Sequence, residues 1–158
     1  MTAALYAVVD CAADPRLHAE VLNHGHVSAL FAGKLDPDLA KAAPHLVQLH
    51  QGSSINALLS SKQGRNGAFG CVLRSDCGMG PLWRRLRKHM LARLPRGEVV
   101  MFRFFDPRVL APYFDSLSGE EIMPWFEGIT DWWLPLPTET LHYTIRDQKI
   151  LRHVVPID

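Results

Sequence analysis

The run ALYAVVD, residues 4–10, constrains the fold more than any other stretch, because it is apolar without a break until Asp10. Successive side chains of a strand point to opposite faces, so a strand of this kind must be covered on both. GAFGCVLRS (67–75) has the same character. The chain therefore needs a sheet with material packed on each side.

The intervening segments carry helix-start chemistry. Asp14 can accept from the free amides of a first helical turn while Pro15 takes the first helical position, which predicts a helix from about Pro15 to Asn23, stopped near Gly25. Asp36 and Pro37 repeat the device, and Pro44 closes that short helix. HLVQL reads as a strand, and SSINALLSSKQG as a helix ending at Gly64. From Pro81 to Leu94 the apolar residues Leu82, Leu86, Met90 and Leu94 fall four apart, the marking of an amphipathic helix. GEVVMFRFF (97–105) is the longest strand-like run, and Asp106-Pro107 then opens another helix. Ser118 with Glu121 forms a capping box whose helix Pro124 limits. WWLPLPTETLHYTIRDQKILRHVV suggests short strands and turns. The expectation is one α/β domain over 1–158: a layered sheet, parallel or mixed, with flanking helices to about residue 105 and a smaller C-terminal lobe over about 106–158.

Seventeen Lys and Arg against 16 Asp and Glu leave a formal charge of +1, so nothing draws the whole molecule to nucleic acid or anionic lipid. Three cysteines, at 11, 71 and 77, fit a reducing compartment. The first residues lack the basic region of a signal peptide, and no membrane-spanning run is present. A cytoplasmic protein without membrane partner is expected. His24 and His26 are expected in a loop, and no Cys pair has zinc-site spacing. There is no phosphate-cradling glycine loop, dinucleotide fingerprint or nucleophile elbow, and Cys71 or Cys77 has no hydrolase motif around it. No metal, cofactor or catalytic residue is expected.

Three features remain. Alternation along 97–105 places Arg103 on one face with Val99, Met101 and Phe105, and a guanidinium there needs a carboxylate, Asp10 or Asp106. The run 82–96 carries Arg84, Arg85, Arg87, Lys88, Arg93 and Arg96 without an acid. It can be a solvated helix face, a protein-binding surface that includes Trp83, Arg84 and Arg87, or a nucleic-acid patch. Trp125, Phe126, Trp132 and Trp133 cluster in a proline-rich segment, as a small core or as interface anchors with at least one ring exposed. The leading expectation is a non-catalytic binding module. Rival readings are a nucleic-acid-binding protein using helix 82–96 and a small hydrolase with carboxylates Asp10 and Asp14.

LYAVVDCAADPRL, SALFAGKLDPDLAKAAPHLVQL and VVMFRFFDPRVL, in that order and spacing, resemble the effector-adaptor (chaperone) domain of bacterial type VI secretion systems, once catalogued as a domain of unknown function. The resemblance runs from about residue 4 to residue 133. It implies a cytoplasmic, non-catalytic adaptor that holds a toxic effector and helps load it onto the VgrG spike, with no nucleic acid involved. It also implies a structural motif comprising Tyr6 and Asp10, the turn Leu30-Phe31-Ala32-Gly33, Ala43-Pro44, and Arg103 with Phe104, Asp106, Pro107 and Arg108. Where the family usually has an aromatic, this chain has His45.

Overall fold

Both faces of the first apolar run are covered. In the computed structural model, which describes residues 2–31 and 33–157, the strands are β1 (Ala4–Asp10), β2 (Val27–Ala29), β3 (Pro44–Gln48), β4 (Gly70–Ser75), β5 (Leu91–Arg93), β6 (Val99–Met101), β7 (Ile129–Pro135), β8 (Glu139–Arg146) and β9 (Lys149–Pro156). Seven of them form one sheet in the order β2-β3-β1-β4-β7-β8-β9, and β5 and β6 form a separate ribbon. Tyr6 and Val8 of β1 enter one core, and Ala7 and Val9 enter the other. Helices α1 (Leu17–Leu22) and α3 (Ser54–Ser60) cover the second face with Leu17, Val21, Ile55 and Leu59. The first face lies under α5 (Met79–His89), α6 (Pro107–Ser116) and the 3-10 turn Met123–Phe126, through Leu82, Leu86, Leu110, Phe114 and Trp125.

The α/β architecture is a large antiparallel sheet with several helices. Every described strand pairing is antiparallel, which corrects the parallel alternative of the expectation. Apolar residues on both faces of a strand report that both faces are covered, not which way the neighbours run. Nor does the sheet divide near residue 105: β7 bonds to β4, so residues beyond that boundary complete the sheet that the first strands begin.

Three element readings also change. The helix expected over 53–64 is two, α3 and α4 (Lys62–Gly67), with Ser61 at the corner donating to the Leu58 carbonyl at 2.7 Å and accepting from the Gly64 amide at 3.0 Å. Gly64 is required there by close approach, since a Cβ would stand 2.0 Å from the Leu58 carbonyl oxygen. The helix expected to reach Leu94 stops at His89. Leu82, Leu86 and Met90 are buried as their spacing demands, while Leu94 is exposed. The long strand expected over 97–105 is only β6, and Phe104 and Phe105 are core residues in the turn that leads into α6. The Asp36 cap is in place over the short helix α2 (Pro37–Ala42), its carboxylate accepting from the Asp38 amide at 2.9 Å.

Candidate partner surface

Both Asp-Pro-Arg sequences fold into the same closed unit. The Asp14 carboxylate accepts from the Arg16 amide and grips the Arg16 guanidinium, all at 2.9 Å. Asp106 does the same with Arg108, at 2.9 Å to the amide and 3.1 and 2.8 Å to the guanidinium, and starts α6 with Pro107 in its first turn. Only Asp106 thereby caps a helix as well as holding its arginine; the helix expected from about Pro15 under an Asp14 cap starts at Leu17 with Arg16 at its N-cap, and Asp14 closes the turn before it. The Arg16 side chain pulls Asp14 down to about 2. Asp106 raises Arg108 further, with a smaller contribution from Asp10.

Arg103 reaches Asp10 from outside the ribbon. Its Nη2 lies 2.6 Å from Asp10 Oδ2, and the other Asp10 oxygen accepts from the Ala12 amide at 3.1 Å. Asp10 is buried and the Arg103 side chain is half exposed. The carboxylates of the hydrolase reading, Asp10 and Asp14, are therefore both engaged as acceptors of their own arginines and turns. Around them, Tyr6 is buried in the core, Phe31 packs against it, Gly33 takes φ +82°, and Pro44 is buried opposite Asp10. Ala32, in the same expected turn, lies outside the described residues. His45 is buried, its Nδ1 2.8 Å from the Ala43 carbonyl and its ring edge-on to His18 at 5.5 Å. Burial pulls His45 below the ordinary histidine range. It also pushes the thiols of Cys11 and Cys71 up to about 12, so neither is a ready thiolate. Among the described residues, no three His, Cys, Asp or Glu side chains converge as a metal site.

The aromatic cluster is core, which corrects its reading as a partner-binding set. Trp125, Phe126 and Trp132 are buried. Trp132 donates through Nε1 to the Trp125 carbonyl at 2.9 Å, and Phe104, Phe114 and Trp125 surround it edge-on at 5.8 to 6.1 Å. Only Trp133, on the opposite face of β7, is partly open. It stacks on His142 at 4.6 Å with Arg74 5.3 Å from its ring, beside a hollow of about 260 Å³. Beneath this stack, burial pushes the Asp131 carboxyl up, but hydrogen bonds from His142, Thr130 and Thr144, with Arg74 nearby, hold it below its ordinary value. A wider open hollow of about 870 Å³ lies between α6 and the β8–β9 hairpin. Tyr143 beside it, buried and donating to Asp115, is pushed up to about 12.

Helix α5 divides its cations between inside and outside. Trp83 donates to the Ala29 carbonyl at 2.7 Å, and Arg87 donates to the Leu30 carbonyl at 3.1 Å while lying 4.7 Å from the Trp83 ring. These two half-buried side chains pin α5 to the end of β2 and the residue after it. Arg84 and Lys88 stay exposed.

The surface that sequence reading missed follows directly. The β5–β6 ribbon leaves Leu91, Leu94, Val99, Val100 and Met101 exposed, at 64%, 41%, 53%, 38% and 51%. The sequence pattern places Leu91 and Leu94 in the helix 81–94 and Val99 to Met101 in the strand-like run 97–105. The available signal was Pro95-Arg96-Gly97 between two short apolar runs. The Gly97 amide donates to the Leu94 carbonyl at 2.8 Å, the Leu94 amide to the Glu98 carbonyl at 2.7 Å, and Gly97 takes φ +91°, as a three-residue hairpin loop requires.

Among the described residues, no helix is long and apolar enough to cross a membrane. No curated protein and no solved structure matches the chain. The model of the family DUF4123, a domain of unknown function, matches residues 5–123, which span β1 to β6 and every α-helix among the described residues, and the chain belongs to that family.

Proposed function

We propose that the protein is a non-catalytic cytoplasmic adaptor that binds a type VI secretion effector and helps load it onto the VgrG spike. The observation that carries the binding half of this reading is the β5–β6 ribbon: five large apolar side chains held in solvent on a hydrogen-bonded scaffold. A cluster of exposed large apolar side chains on a folded domain marks a site of association. The secretion half rests on the sequence resemblance, whose three motifs lie on β1 and the start of α1, on β2 to β3, and on β6 to α6.

The protein used as bait in lysate of its own cell, washed at low and at high salt, tests the reading. One large toxin-like protein retained through high salt, with or without a spike component, is the expected result. Nucleic acid alone, released as salt rises, overturns it in favour of the basic helix, because phosphate binding weakens steeply as counterions compete.

A further inference from the structure

We infer that the outer stripe of α5 and the β5–β6 ribbon form one continuous docking surface for a protein segment with an acidic half and an apolar half. This deepens the adaptor reading and rests on it for the identity of the partner.

The stripe is set by helix geometry. Pro81, Arg84 and Lys88 are exposed and fall three and four apart on one face, and Leu91 follows as the first residue of the ribbon. The cations of this stripe differ from the ion-paired arginines of the fold. Arg16, Arg74, Arg103, Arg108 and Arg152 each meet a carboxylate. Arg85 lies 3.0 Å from Glu127, although its buried Nη1 is not aligned for a hydrogen bond. Among the described residues, Arg84, Lys88 and Arg96 meet no carboxylate at all. Arg84, Arg85 and Lys88 instead line an open cleft of about 400 Å³ against Pro124 and Glu127.

The ribbon supplies the other half. Its register pairs Leu91 with Met101 and Arg93 with Val99, and directly opposed residues of an antiparallel pair project to the same side. Leu91, Met101 and Val99 therefore form one apolar face with Arg93 at its edge. Positive charge at one end and aliphatic surface at the other define the complement: carboxylates over Arg84 and Lys88, aliphatic side chains over the ribbon. A nucleic acid fits the first half only. The ribbon has no aromatic ring on which a base could stack, and a phosphate backbone would leave its aliphatic face uncovered.

A fluorescein-labelled synthetic peptide with a Glu-rich half and a Leu/Val half serves as the probe, read by fluorescence anisotropy. The expected result is binding that R84E/K88E weakens about tenfold and V99S/M101S weakens comparably. A peptide carrying Lys in place of Glu should regain affinity for R84E/K88E. All four substituted side chains are exposed, so unchanged thermal melting of both variants confirms that the fold is kept. Equal binding of a peptide with Ser in place of its aliphatic residues removes the ribbon from the surface and overturns the inference. So does tighter binding of single-stranded RNA than of the peptide, and so does no binding of the peptide. If both variants still capture a toxin-like protein from lysate as well as the unsubstituted chain does, this surface is wrong while the adaptor reading stands. If the peptide result holds and no effector is captured, the surface stands and the adaptor reading falls.

Discussion

Trp132 and Trp133 are adjacent in sequence and differ completely in surroundings. Trp132 is fully buried among Phe104, Phe114 and Trp125, so Trp132→Ala is expected to cost about 3–5 kcal/mol in urea denaturation. Trp133→Ala removes a stacked, partly open ring and is expected to cost about 1 kcal/mol. His89 gives a second prediction. Its ring stacks on Trp125 at 3.8 Å, and burial pulls it down to about 4 against the opposing pull of the Pro124 backbone and Glu127. The folded value lies below the unfolded 6.5, so the contribution of neutral His89 is complete above pH 6.5 and is lost as pH falls from there to about 4. The loss totals roughly 3 kcal/mol. His89→Phe should flatten that part of the stability profile relative to the unsubstituted chain, measured as urea midpoint against pH. At this scale the sequence was informative where charge had to be balanced. The Arg103–Asp10 pair was legible because a guanidinium in an apolar run needs a carboxylate, even though the strand that suggested it ends at Met101.

Among the elements, the β8–β9 hairpin holds a specific strain. Its two-residue turn places Asp147 at φ 50° and Gln148 at φ 62°, both in the left-handed region that glycine occupies without penalty. Gln148→Gly is therefore expected to raise stability by about 0.5–1 kcal/mol, read as an increase in melting temperature. Elements with local signals were readable: β1 from its unbroken apolar run, α2 from Asp36 and Pro37, the capping box from Ser118 and Glu121, whose side chains exchange hydrogen bonds with each other's amides at 3.1 and 2.9 Å. The failures came where tertiary contact decides. Gly64 looked like a helix stop and is a point of backbone contact inside α4. Val99 to Met101 read as part of one long strand, and here they form a short ribbon strand presented to solvent. An apolar surface left in solvent and one buried in a core are written in the same residues.

In the molecule as a whole, the family match ends at residue 123, whereas the sheet continues through β7, β8 and β9 to Pro156. Those strands cover the free edge of β4 and contribute Trp132, Leu134, Leu141 and Tyr143 to the core. A chain truncated after Gly128 is therefore expected to lose cooperative thermal melting, checked by circular dichroism, because it leaves an apolar strand edge unpaired. Strand direction was not legible, since it is fixed by how the connections return across the sheet rather than by any strand's own residues. The interior place of β1 also carries a consequence in time. It is the first strand made, yet its two neighbours are β3 and β4, the latter complete only at Ser75. At synthesis rates of about 5–20 residues per second, the ribosome takes roughly 3–13 s to travel from Asp10 to Ser75. Until β3 follows at Pro44–Gln48 this strand has no edge to join, and its β4 side stays open for the whole interval, so its safe passage depends on the ribosome's surroundings before it depends on the fold.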